Sequence, residues 1–373
     1  MQANIIYIQV SQIYNIQSTM LSKPSYHKKF KSSLNILDKF LKLNRTLKSK
    51  CYWGTRVEVS LNLFLWHLEE FKNNRDPRKP FINATNEAID ILKIRKKSKL
   101  LNYNFVNNYK NNKNFESYVK LLFSDIWVNM TDDIYFDQTF NFTKERFKKN
   151  GLDAENFFKN KIVVDAGCGS GKFSCTIAKL KAKKVYGFDL GELGISFAKK
   201  QQQKKTYAKK ISFKVASIMK MPLKSNSVDV VFTNGVVHHT SNYVKCIKEF
   251  KRVLKKNSKL FFYVEGSCGL YEIFQEKIRE SLNEIPTEFV LSYLKSLGVD
   301  SGRLYWLQDC LKAPYEYKTK SEIIKLLSKN GFQVEKQLTR GVSSDNIEKI
   351  SSGMPHGKIK YGEGQIKFIC TKK

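Results

Sequence analysis

The sequence predicts an α/β protein built on a doubly wound, largely parallel sheet with helical additions. Three observations carry this. Between residues 161 and 266, short apolar runs alternate with helix-patterned ones, the mark of successive βαβ units. A glycine-rich turn, "AGCGSG" at 166–171, follows the first of those runs, where a strand hands over to a helix. Finally, 373 residues of which 42% are hydrophobic and 13% aromatic suffice to bury a core of that size.

The elements follow in order. Residues 1–115 are basic and polar, broken by "NNRDPRKP" (73–80), and show helical spacing in "VEVSLNLFLWHLEEF" (57–71). They predict a mainly helical extension with Trp53, Leu63, Phe64, Trp66 and Phe71 as a small core. The catalytic-type core is expected over 116–265. It opens with a helical stretch, "SDIWVNMTDDIYFDQTFNFTKERF" (124–147), and continues through strands in "KIVVDA", "KVYGFDL", "ISFKVAS", "VDVVFTN" and "KLFFYVEG". Helices are expected between them in "KFSCTIAKL", "LGISFAKKQQ" and "NYVKCIKEFKRVL". Residues 266–318 predict a helical insert, expected to cap an acceptor site. Residues 319–373 predict a closing helix and two more strands, "SEIIKLLSKNGFQVEKQLTR" and "GQIKFICTKK".

The formal charge is +32, yet only ten of 66 basic residues are arginine, and the lysines are spread over the whole chain, as in "NNYKNNKNF" (107–115). A solvated lysine-rich surface is the preferred reading, with a polyanionic partner as its rival. Seven cysteines without a C-x-x-C pair argue against a disulfide framework and against a zinc or other metal site. The start, "MQANIIYIQVSQIYNIQSTM", lacks the basic segment and continuous apolar run of a signal peptide, and no stretch of 18 apolar residues occurs. A soluble, cytoplasmic protein without membrane insertion is expected.

Behind the first strand, Gly167, Gly169 and Gly171 are spaced G-x-G-x-G directly after the acid-bearing run that holds Asp165. Such a turn brings backbone close to a ligand at a helix N-terminus. The second strand ends in Asp189, 20 residues beyond Gly169, where a carboxylate can accept from two ribose hydroxyls. A nucleoside is therefore expected; the plainer alternatives are turn glycines without a ligand and an Asp189 that caps the next helix. Cys168 reads as a packing residue, because no base stands near it in sequence.

Taken together, "VVDAGCGSGKFS", "VYGFDLG", "SFKVASIMKMPLKSNSVDVVFTNGVVHHT" and "CIKEFKRVLKKNSKLFFYVEG" resemble the successive motifs of class I S-adenosylmethionine-dependent methyltransferases, nearest the ubiquinone-biosynthesis-like branch. The resemblance implies a Rossmann-like sheet of seven strands with the last antiparallel. It also implies S-adenosylmethionine as cofactor, with Asp165, Gly167 and Gly169 at the methionyl part, Asp189 at the ribose, and Ser217 and Ile218 at the adenine. Gly171, Leu190 and Asn234 complete the implied cofactor set. Ser217 departs from the family, which commonly has an acid there.

Methyl transfer from a sulfonium is an in-line displacement in which positioning does much of the work. After the fourth strand stands "TNGVVHHT" rather than the Asn/Asp-Pro-Pro-aromatic sequence of amine and amide methylators. No Pro-Cys pair occurs, which leaves cytosine C5 methylation without a nucleophile. One of His238 and His239 could take a proton from a hydroxyl; a structural role is the alternative. In the insert, Tyr305, Trp306 and Asp309 are the expected substrate residues, with Tyr315 and Tyr317 nearby. The expected reaction is O-methylation, with C-methylation second, of a small metabolite, glycan or lipid-linked intermediate. An RNA methyltransferase and a catalytically inactive binding subunit are the alternatives.

Overall fold

A computed structural model describes residues 24–97, 120, 136–299 and 301–373. The chain divides into two units, one drawn from 1–113, 267–315 and 353–362, the other from 114–266, 316–352 and 363–373.

The second unit contains a seven-stranded sheet. Its strands are β1 (Ile162–Ala166), β2 (Lys184–Asp189), β3 (Ile211–Val215), β4 (Val228–Asn234), β5 (Leu254–Glu265), β6 (Phe332–Gln337) and β7 (Gln365–Lys372). They lie in the order β3-β2-β1-β4-β5-β7-β6. β1 to β5 pair in parallel, whereas β7 runs antiparallel to both neighbours. Strand order reverses between β1 and β4, and the carboxyl ends there form the crevice in which such sheets bind ligands. The central strands are buried on both faces, which is why they read as continuous apolar runs rather than alternating ones.

Helices between the strands start where the sequence supplies a cap. Asn242 accepts from the Lys245 N–H at the head of the Tyr243–Val253 helix. Thr319 and Glu322 form a reciprocal capping box before Lys320–Lys329. β5 begins at Leu254, earlier than its apolar run suggests, because Leu254 pairs with Val228 ahead of a register shift in β4. The 124–147 stretch is described only from Phe136, with a helix at Gln138–Lys149; its first part lies outside the described residues, as do 1–23 and "NNYKNNKNF".

The described part of the first unit is helical, including Pro24–Thr46, Trp53–Glu70, Arg78–Lys97, Leu270–Leu282, Thr287–Ser296 and Ser301–Lys312. Leu63, Phe64 and Phe71 are buried as expected. Trp66 is not: it is 41% exposed, because with Asn62 and Glu69 it falls on the outer stripe of its helix. Trp53 is half-buried, 5.3 Å from the Phe289 ring. No helix among the described residues is long and apolar enough to cross a membrane, and all seven cysteines are free thiols.

Candidate active site

The turn after β1 has a backbone that only glycine adopts easily. Gly167 and Gly171 both have φ of +83°, and a side chain would also collide: a Cβ on Gly167 would stand 2.4 Å from Val236, one on Gly171 2.6 Å from Phe213. The N–H groups of Gly167 and Cys168 donate to the Phe188 carbonyl at 2.9 and 3.0 Å, tying the turn to β2. Gly171 then caps the helix Lys172–Lys179.

Asp189 joins the two loops. Its Oδ2 accepts the Gly169 N–H and its Oδ1 the Gly191 N–H, each at 2.8 Å. Gly191 is the N-cap of the helix Glu192–Gln203, so Asp189 fixes the entry to that helix and also braces the glycine turn. Burial raises the Asp189 pKa, opposed by the backbone N–H groups of Gly191, Gly169 and Leu190. Asp165 is buried and accepts from Ser174 Oγ at 2.6 Å; burial pushes its carboxyl up to about 7. Cys168 is buried, and burial followed by the nearby Asp165 and Asp189 charges drives its thiol well above the usual range, the opposite of what a nucleophile requires.

The remaining predicted cofactor residues lie at the same carboxyl edge. Leu190 follows the last residue of β2, and Asn234 ends β4; both are half-buried. Beyond β3, Ile218 is buried, while Ser217 Oγ accepts the Met219 N–H at 3.2 Å. Two buried hydroxyls, Ser170 Oγ in the turn and Thr233 Oγ1 in β4, have no hydrogen-bond partner among the described residues. Orphan hydroxyls beside an acid-braced, glycine-lined crevice fit a polar ligand such as a nucleoside with an amino-acid tail.

The histidine pair is held in one arrangement. The Glu265 N–H donates to His238 Nδ1 at 3.1 Å, so that nitrogen carries a lone pair and the ring proton sits on Nε2. His238 Nε2 lies 3.0 Å from His239 Nε2, which must therefore be the acceptor. The lone pair a base would use on His239 Nε2 is occupied. Reversing the tautomers would set a His238 Nδ1–H against the Glu265 N–H.

Sequence reasoning missed a charged network beside this pair. Tyr263 lies opposite Asn234 and Lys367 in the sheet register, and its hydroxyl donates to Glu265 Oε1 at 2.6 Å. Arg146 makes two bonds to Asp345, at 2.8 and 2.7 Å, and buried Lys367 adds a third at 2.8 Å. Burial alone would raise Asp345, but Arg146 and Lys367 outweigh it and hold the carboxyl at about 2. Lys172, directly after the glycine turn, is pushed down to about 8 by burial and then by Arg146. The strand runs that hold Tyr263 and Lys367 were visible in the sequence; nothing local marks Asp345 as the partner of Arg146, 199 positions away.

The expected substrate residues sit in the helical unit. Trp306 is half-buried with its ring 5.7 Å from Phe64. Asp309 Oδ2 accepts from the Tyr315 hydroxyl at 2.7 Å. The Tyr305 side chain lies outside the described residues. Tyr317 is buried in the sheet unit.

A family model described as a methyltransferase domain matches residues 157–331. The chain is 31% identical over 114 residues to a tRNA U34 carboxymethyltransferase of Campylobacter fetus, covering 31% of this chain and 40% of that protein. It is 35% identical over 112 residues to a malonyl-[acyl-carrier protein] O-methyltransferase of Legionella pneumophila, covering 30% and 38%. With phosphoethanolamine N-methyltransferase 1 of Caenorhabditis elegans the identity is 36% over 140 residues, covering 36% and 28%. The chain thus spans about two fifths or less of the length of these relatives.

Proposed function

We propose that residues 157–331, which match a methyltransferase-domain model, form a class I S-adenosylmethionine-dependent methyltransferase and that the chain transfers a methyl group to a hydroxyl oxygen of a small acceptor. The observation that carries the cofactor assignment is Asp189, a carboxylate fixed against the glycine turn by the Gly169 and Gly191 N–H groups. Its oxygens receive the two ribose hydroxyls, and Leu190 stands beside them. Asp165 with Gly167, Gly169 and Gly171 holds the methionyl part. Ser217 and Ile218 flank the adenine, where a serine already engaged with Met219 is a weaker acceptor than an acid. Asn234 stands at the reactive end.

When bound, S-adenosylmethionine supplies an electrophilic methyl group on a sulfonium. The protein's share is to align the acceptor oxygen and take its proton. His238 and His239 position the end of β4 against β5, because His238 Nδ1 accepts the Glu265 N–H and the two Nε2 atoms hydrogen-bond to each other. Glu265, at the end of β5 and already accepting from Tyr263, is the proton acceptor in this reading. The relatives' printed acceptors, a tRNA, an acyl-carrier-bound malonyl group and phosphoethanolamine, are chemically too varied to choose among. The oxygen target rests on the "TNGVVHHT" loop, which lacks the sequence of exocyclic-amine and glutamine-amide methylators.

The test is incubation with methyl-labelled S-adenosylmethionine and a cell extract separated into small-molecule, RNA and protein fractions. Label is expected in the small-molecule fraction as an ether or ester. Label in RNA would contradict the acceptor class, and no transfer to any fraction would contradict the activity.

A further inference from the structure

The loops that lead into β1, β2 and β3 meet at the amino edge of the sheet, the end opposite the glycine turn. Parallel pairing sets Ile162 against Lys184 and Val185 against Ile211, so residues 159–161, 179–184 and 204–210 converge. Backbone bonds join the first two, the Lys183 N–H reaching the Lys161 carbonyl at 2.9 Å and the Asn160 N–H the Lys181 carbonyl at 3.0 Å, and Lys184 Nζ reaches the Lys209 carbonyl in the third at 3.4 Å. These segments hold ten lysines among sixteen residues and no acid, against about one lysine in seven over the whole chain. The enrichment exceeds the general lysine bias. Eight of the ten are exposed, and only Lys184 and Lys205 are half-buried. Among the described residues, Lys179 pairs with Asp137 at 3.3 Å and Lys181 with Glu155 at 2.6 Å. Ten lysines without an acid in the three segments make the edge strongly positive.

A cleft of about 230 Å³ opens in this surface, bounded by Phe136, Thr176, Lys179, Lys204, Lys205 and Tyr207, with Asp137 at its side. Thr176 is 2% exposed, and its hydroxyl has no hydrogen-bond partner among the described residues. The cleft is smaller than the roughly 300 to 1,000 Å³ of small-molecule sites and suits one phosphate with its sugar. Ammonium groups on flexible stems meet phosphate as point charges and lack the planar fork that reads bases. None of the exposed large hydrophobic side chains belongs to these segments, so nothing here would wedge into a membrane.

We infer that the amino edge of the sheet is a docking surface for single-stranded nucleic acid, held by its phosphate backbone without regard to sequence or sugar. The surface stands the length of β1 away from the glycine turn, roughly 16 Å for five extended residues. It does not rest on methyl transfer: a chain that bound no cofactor would still hold nucleic acid here.

Fluorescence anisotropy with labelled oligouridine and oligothymidine, on the full chain over a range of salt, tests the inference. The edge variant Lys204→Glu/Lys205→Glu/Lys209→Glu/Lys210→Glu is compared with Lys245→Glu/Lys248→Glu/Lys325→Glu/Lys329→Glu, which changes net charge equally. The wild type is expected to bind both oligomers alike. The edge variant should lose about tenfold or more and show a salt slope shallower by about 3, while the control changes less than about threefold. If the quadruple edge variant does not fold, the milder Lys204→Gln/Lys205→Gln should still lose about threefold. Equal losses in both variants, absence of binding by the wild type, or a strong preference for one sugar would overturn the inference. So would capture by phosphatidylserine vesicles without capture by either oligomer.

Discussion

At the carboxyl edge of the sheet, charges are buried and matched: Arg146 and Lys367 share Asp345, and Tyr263 donates to Glu265. At the amino edge, lysines crowd three loops and most face solvent. The strands are common to both, so the contrast lies in what the loops carry. A buried charge is costly unless partners are fixed around it, and fixed partners are what hold a small ligand in one pose. Exposed ammonium groups cost little to keep and attract at a distance, which suits a long, variable polyanion.

Breaking the matched edge should give the largest effect. Asp345→Ala would leave Lys367 and Arg146 facing each other in a buried site. Urea unfolding is expected to show a loss of about 3–5 kcal/mol, and a loss below about 1 kcal/mol would mean that the network is not held as the geometry implies. Next comes Glu265→Gln. If Glu265 accepts the proton, kcat should fall about a hundredfold with the acidic limb of the pH profile abolished, whereas His239→Gln should leave that limb in place. The reverse pattern would return the base role to the histidines.

A more gradual effect should follow from pH. Asp165 has its folded pKa raised to about 7 from an ordinary 3.8, so between those values the folded chain keeps a proton that the unfolded chain releases. Stability contributed by this group is therefore full at low pH and falls as pH rises from about 4 to 7, by up to about 1.4 kcal/mol per pH unit. Asp165→Asn, which can still accept from Ser174, should flatten that fall in urea titrations at several pH values. At the amino edge, Lys183→Ala or Lys209→Ala should shift stability by no more than about 0.5 kcal/mol. A large loss there would erase the contrast between the two edges.

Legibility in the sequence followed the same division. The glycine turn and Asp189 stand within one βαβ unit, so the strand, the turn and the acid could all be read locally, and the fold brings them together through the Gly169 N–H. The sheet was equally readable, since strands buried on both faces announce themselves as apolar runs. Trp66 was misplaced because hydrophobicity was weighed without its position on the helix stripe. The tautomers of His238 and His239 depend on a backbone N–H of β5, and the Asp345 network joins three distant segments. Lysines and acids in such segments look like surface until the fold brings them together. The lysine edge was hidden differently, inside a composition already rich in lysine, and only the parallel register gathers its three loops.

The central claim is that Asp189 holds the cofactor's ribose at the carboxyl edge, and calorimetric titration of S-adenosylhomocysteine into the wild-type chain and Asp189→Asn tests it most directly. Asparagine can still receive one backbone N–H, so the turn keeps part of its bracing while the charge is removed. The account predicts binding by the wild type and affinity weaker by about 1.5–3 kcal/mol in a variant that remains folded. Equal affinity in the two proteins would contradict it.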